Sequence, residues 1–273
     1  MLRMESETGW WLITHPDHAR LAGEFAAAWG NAEFRRPEPR ARVLKGIACH
    51  DDGWADRDAH PSITRQGKPS AFSTELVGKY SAFEEIDIED YLAVRERAVR
   101  IIAEEDAYAG LLISMHTYNL LTAHADRSTI DVDGLLMLDA FLERLRAYQD
   151  ELRATIAADA SLAEAEKSEQ AITEHFRLLQ ACDNLSLLTC VAFDGPANLL
   201  HPLPLVDGGT AEVQVLPVGP REFRLTPWPF AEPTMEFSFP ARHVEGRLFA
   251  DSRSLDATFQ AAEAQRLTVR LTA

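Results

Sequence analysis

Gln180-Ala181-Cys182-Asp183-Asn184-Leu185-Ser186-Leu187, with Phe193-Asp194-Gly195-Pro196 just beyond it, separates two kinds of pattern in this 273-residue chain. Upstream, apolar residues recur at the helical period. Phe176, Leu179, Asp183, Leu187 and Cys190 share one face of a helix expected from about Ser168 to Phe193. Downstream, Glu212-Val213-Gln214-Val215-Leu216, Phe223-Arg224-Leu225, Met235-Glu236-Phe237-Ser238-Phe239 and Leu267-Thr268-Val269-Arg270-Leu271 alternate with period two, the pattern of half-buried strands. Prolines 217, 220, 227, 229, 233 and 240 punctuate them, which predicts short or edge strands. The spacing therefore predicts a mainly α protein: a helical domain over 1–200 and a small antiparallel β-rich extension over 201–273 packed on it.

Earlier helices follow the same logic. Thr14-His15-Pro16-Asp17 is a helix start, because a side-chain oxygen there meets orphan N–H groups and proline fits the first turn. His18, Leu21, Phe25 and Trp29 then form one inward stripe, which Gly30-Asn31 ends. A second run carries Val43, Ile47, His50, Asp51 and Trp54. Residues 55–79 lack periodicity and are long for a structureless loop, the mark of a functional segment or lid. Tyr91, Val94, Ala98 and Ile102 make the next stripe, Leu112, His116, Leu120 and Ala123 another, and a long amphipathic helix spans about Asp133 to Ala157.

With 46% hydrophobic residues the chain can bury a sizeable core, and ordinary Gly and Pro counts exclude a collagen-like chain. A formal charge of −16 argues against nucleic acid and anionic membranes, which bind basic surface. There is no apolar run long enough to span a bilayer and no signal-peptide core, and three Cys make no disulfide framework. The expected setting is the cytoplasm.

Chemistry is expected where polar groups sit on apolar helix faces: His18, the pair His50 and Asp51, His116 and Asp183. A buried carboxylate is costly unless paired or bound to metal. Three imidazoles and two carboxylates pointing inward from different helices satisfy one another best around a cation, and His with Asp suits Fe, Mn, Zn, Ni or Co. Taken singly, an inward His is more often a hydrogen-bonded core residue, and a helical Asp a cap or salt-bridge partner.

The order His18, then His50-Asp51-Asp52-Gly53, then Asp183-Asn184-Leu185-Ser186 resembles the HD-domain superfamily of metal-dependent phosphohydrolases. More narrowly, Thr14-His15-Pro16-Asp17-His18-Ala19, Trp29-Gly30-Asn31, His50-Asp51-Asp52-Gly53-Trp54 and Cys182-Asp183-Asn184-Leu185-Ser186-Leu187 resemble an uncharacterised bacterial family, domain of unknown function 3891, over most of the chain to about residue 250. The wider resemblance implies an HD-like helical bundle with a metal on His18, His50, Asp51 and Asp183. It also implies hydrolysis of a small phosphate ester or nucleotide-like compound. A β appendage and the long insert before Asp183 depart from the basic bundle.

In such a site a divalent ion lowers the pKa of its water and polarises a phosphoryl oxygen. Asp51 would orient that water, Asp52 is a candidate base, and His116 would donate a proton or, with His60, serve a second metal. Arg35, Arg36 and Lys68 are candidates for the substrate phosphate, since Arg forks match its geometry; surface ion pairing is the blander role for each. Two other readings stand beside the hydrolase: an HD-like di-iron oxygenase, and a non-catalytic metal-binding or sensory bundle. A sheet edge would permit a homodimer.

Overall fold

The computed structural model describes residues 1–81, 83 and 87–273, and strands open the chain before any helix. The order is β1 (Leu2–Glu5), β2 (Gly9–Ile13), α1 (His15–Ala28), α2 (Arg40–Ala48), α3 (Ala55–Asp58), α4 (Ile88–Glu105), α5 (Ala107–Ala123), α6 (Val132–Ala158) and α7 (Glu169–Cys190). Then come β3 (Ala197–Asn198), β4 (Leu203–Pro204), β5 (Thr210–Ala211), β6 (Gln214–Gly219), β7 (Glu222–Thr226), β8 (Thr234–Glu245), α8 (Ser252–Ala261) and β9 (Ala264–Thr272).

Seven strands form one sheet in the order β1-β2-β8-β9-β7-β6-β3, so the fold is mixed α and β rather than mainly α with a small β appendage. The expected division near residue 200 does not bound the sheet, because β2 pairs antiparallel with β8 through Leu12↔Arg242 to Gly9↔Glu245. Nor is the sheet wholly antiparallel: β7 and β9 run parallel, Phe223 opposite Leu271. β8 is neither short nor an edge strand; it is twelve residues long and lies between β2 and β9. Pro240, inside β8, is tolerated because β2 pairs only with residues 242–245, so the missing N–H costs no bond to that neighbour.

Period-two alternation sets the two faces of β8. Phe237, Phe239 and Ala241 face a core shared with Phe25 of α1, with Trp29 just past its end, and with Leu178, Leu185 and Leu188 of α7. Val244, of opposite parity, packs with Trp10, Leu12, Leu255 and Phe259 beneath α8. A further core joins Trp54 to Tyr91, Val94 and Ala98 of α4, Ile113 of α5 and Leu138 and Phe141 of α6. No described helix is long and apolar enough to cross a membrane.

Local chemistry decides the segment that matters most. The run through Trp54 does not stay helical: α2 ends at Ala48, and the His50 ring places Nδ1 2.7 Å from Ile47 O, the carbonyl that Asp51 N–H would reach in a continuing helix. Asp52–Trp54 then forms a short 3₁₀ turn pressed on α4. A Cβ on Gly53 would lie 2.2 Å from Val94 O and 2.9 Å from Ala98 N, backbone atoms of an intact helix. Gly53→Ala is expected to cost about 3 kcal/mol, the upper range for overpacking, and to lower Tm by roughly 6–12 °C in a chain of this size. Thermal melts check this; an unchanged Tm would mean that the turn yields.

Candidate metal centre

Four parts of the chain deliver five polar side chains to one buried place. His18 comes from α1, His50 and Asp51 from the turn after α2, His116 from α5 and Asp183 from α7, and none of these side chains is more than 10% exposed. The rings form a row, His18–His50 at 5.3 Å and His50–His116 at 5.2 Å between centroids. His18 Nε2 is 3.0 Å from Asp51 Oδ2, and His50 Nε2 is 3.2 Å from Asp183 Oδ1 and 3.8 Å from Asp51 Oδ2. Ligand atoms around a tetrahedral ion with bonds of about 2.1 Å lie roughly 3.4 Å apart. The ligating atoms of His18, His50 and Asp51, and those of His50, His116 and Asp183, each fall within 4.8 Å of one another.

The hydrogen bonds behind the rings fix what faces inward. Ser186 Oγ donates its hydrogen to Asp183 O at 2.8 Å, so it accepts from His18 Nδ1–H at 2.9 Å. His50 Nδ1–H donates to Ile47 O. With each Nδ1 acting as donor, Nε2 is the ring atom that faces a carboxylate oxygen, bare unless it carries a proton. Acceptors facing acceptors in a dry site require a positive charge between them, either protons or a metal ion. The donor set therefore fits a divalent transition metal.

Asp51 has a second partner. Arg95 of α4, itself buried, places Nη1 2.6 Å from Asp51 Oδ1, leaving Oδ2 to face the imidazoles. Burial opposes ionisation of Asp51, but Arg95 and His50 outweigh it and hold the carboxyl well below its usual range. Burial likewise opposes ionisation of Asp183, yet His50 and its neighbours bring it down to about 2. At His50 burial pushes downward, and Asp51 with Asp183 overcomes it and raises the ring to about 9. His116 differs: burial takes it down to about 3, so it is neutral near pH 7, and its Nδ1 has no hydrogen-bond partner among the described residues.

A proton on His50 and an ion at the same nitrogen exclude each other. Below His50's raised value of about 9, each ion bound must expel one proton, so affinity is expected to fall about tenfold per unit of acidification and to level off above it. Competition titrations with a chromophoric chelator between pH 6 and 8 check this; a flat profile would take His50 out of the ligand set.

Other expected residues lie elsewhere. Asp52 is held by Arg20, whose Nη2 is 2.9 Å from Asp52 Oδ2. His60 is 75% exposed and sits 3.2 Å from Asp256, so it joins no second metal position. Arg35 pairs with Glu174 at 2.9 Å, Arg36 is exposed with its stem against Gly30, and Lys68 pairs with Glu75 at 3.6 Å. None of these three touches the cluster.

Sequence reading overlooked Arg95 and Ser186. Arg95 falls at the spacing 91, 95, 98, 102 on an otherwise apolar stripe, the same signal that singled out His18. His15, three residues before His18, was also overlooked; it lies 3.0 Å from the buried Asp58 and stacks on Trp54 at 4.4 Å.

The profile of the family described as Protein of unknown function (DUF3891) matches residues 1–246. The chain belongs to that family. The matched span holds all five cluster residues, Arg95, and the β2–β8 pairing, while α8 and β9 lie beyond it. No curated protein and no solved structure matches the chain.

Proposed function

We propose that this DUF3891 member is a metal-dependent hydrolase of small phosphate esters, with the ion held by His18, His50, Asp51 and Asp183. The observation that carries the reading is that His18 Nε2 and His50 Nε2 each face a carboxylate oxygen, at 3.0 and 3.2 Å, in a buried site. The ligand order His, His-Asp, Asp is that of the HD-domain superfamily, and the resemblance supports the chemistry without extending to the bundle architecture. When bound, the ion supplies Lewis acidity, polarising a phosphoryl oxygen and acidifying water.

The chain's own residues do the rest. Ile47 O and Ser186 Oγ lock both imidazoles in the ligating tautomer. Arg95 keeps Asp51 ionised and restricts it to one free oxygen. His116, with Nε2 3.8 Å from Asp183 Oδ2, is the candidate proton donor to a leaving oxygen. His50 has only one free nitrogen, so it can serve one ion; a single ion satisfies the cluster better than two poorly ligated ones. Free Cys49, Cys182 and Cys190 suit a reducing compartment such as the cytoplasm.

Elemental analysis of the purified chain, followed by a panel of phosphomonoesters with and without chelator, tests this. About one equivalent of transition metal and chelator-sensitive phosphate release are expected. A chain that takes up no ion from Fe, Mn, Zn, Ni or Co would sink the proposal, and an ion-loaded but inert chain would redirect it to ion sensing.

A further inference from the structure

A cavity of about 460 Å³ opens beside the metal centre, between β1, the first turn of α1, α3, segment 61–81 and α4. Its inner wall is built from the neighbours of the ligands. Arg95, bonded to Asp51, lies with Cζ 5.3 Å from the Trp54 ring centroid, and His15 covers Trp54 with its own ring edge-on to His18 at 5.9 Å. The cavity thus begins one side chain away from Asp51 and from His18.

Its charge runs against that of the chain. Among the described residues four cationic side chains line it, Arg3, Arg57, Lys79 and Arg95, against the carboxylates of Asp58 and Glu75, in a protein of net −16. Most of these are already engaged. Arg3 pairs with Glu75 at 3.1 Å and Arg95 with Asp51 at 2.6 Å, and Asp58 accepts from His15 and, at 2.9 Å, from the Met1 amino group. Arg57 and Lys79 are left, and neither makes an ion pair with any described residue. Arg57 Cζ stands 5.6 Å from the Trp54 ring centroid, and Arg57 Nη1 and Trp54 Nε1, both buried, have no acceptor among the described residues. Solvent-shielded donors with no acceptor are costly, and a guanidinium fork with a neighbouring N–H suits a tetrahedral oxyanion.

We propose that this cavity seats the substrate and that Arg57, with Trp54 Nε1 and Lys79, binds its phosphate. The proposal deepens the hydrolase reading, resting on it for the ion but not for the anion seat. It moves substrate recognition from the surface residues Arg35, Arg36 and Lys68 to the α3 turn that directly follows the His-Asp doublet.

Inorganic phosphate is the probe, with malonate as the carboxylate comparison, titrated calorimetrically into the 273-residue chain as purified and after chelation. Phosphate binding by the wild type is expected, with little heat from malonate. Arg57→Gln should weaken phosphate about tenfold or more, the size of a charge-assisted contact, with metal content unchanged. Arg57→Lys, which keeps charge but loses the fork, should fall between, and it covers the case in which the glutamine variant does not fold. Equal phosphate affinity in Arg57→Lys, Arg57→Gln and wild type overturns the assignment, as does tighter binding of malonate than phosphate. Loss of phosphate binding on chelation together with its persistence in Arg57→Gln also overturns it, placing the anion on the ion alone. Arg57-dependent phosphate binding in a chain that holds no metal supports the seat while removing the hydrolase reading, so the two failures are distinguishable.

Discussion

Asp183→Ala is expected to leave purification with only a trace of transition metal, an ion affinity down about 100-fold or more, and no chelator-sensitive hydrolysis. Loss of a supporting contact behind a ligand already costs 10–100-fold in many metal sites. Asp183 is more central: its Oδ1 lies 3.2 Å from His50 Nε2 and 3.7 Å from His18 Nδ1, and its Oδ2 lies 3.8 Å from His116 Nε2. Removing it strips a negative charge that borders all three imidazoles and, in the proposed centre, a ligand of the ion. The fold should survive, since α7 stays anchored by Leu178, Leu185 and Leu188. Asp51→Asn should behave alike on metal content. Stoichiometric metal in both variants, measured on folded protein by elemental analysis, would remove the two carboxylates from the centre.

Arg95→Met is the second large effect. Deleting one partner of a buried ion pair strands the other, at a cost of about 3–5 kcal/mol. Methionine approximates the volume of the stem, so most of the loss is electrostatic. In the wild type the Asp51 carboxyl is depressed in the folded state, so its contribution to stability is present above its unfolded pKa and disappears as pH falls through the folded value. The variant lacks that contribution. The stability gap between the two proteins is therefore expected to be full at pH 7 and to narrow below about pH 4, the unfolded carboxylate value. A bound divalent ion supplies the missing positive charge, so saturating metal should restore part of the loss. Urea melts with and without metal check this; an equal gap at pH 7 and pH 3 would show that the effect is packing.

The candidate ligands were legible because burying a polar group on an apolar stripe is conspicuous: His18, His116 and Asp183 each interrupt a run of Leu, Phe or Ala at helical spacing. Helix ends marked by chemistry were legible too, Thr14 capping Asp17 N–H at 3.1 Å among them. The sheet was underread for physical reasons. Leu2–Glu5 and Gly9–Ile13 are short, and Gly9-Trp10-Trp11-Leu12-Ile13 is apolar on both faces, because β2 is covered by α8 on one side and by the helical body on the other. Without alternation such a segment carries no period to detect. Pairing with a strand more than two hundred residues away leaves no local trace either. The helix expected through Trp54 stopped early because the His50 side chain satisfied the carbonyl that would have propagated it.

The β2–β8 pairing sets a timetable for biosynthesis. Residues 9–12 are synthesised roughly 230 residues ahead of their partners at 242–245. At about 5–20 residues per second the N-terminal hairpin waits roughly 10–50 s for its partner. Through that interval a Trp-rich strand edge stands open, and a chaperone able to shield nascent chains would be expected to govern the yield of folded protein.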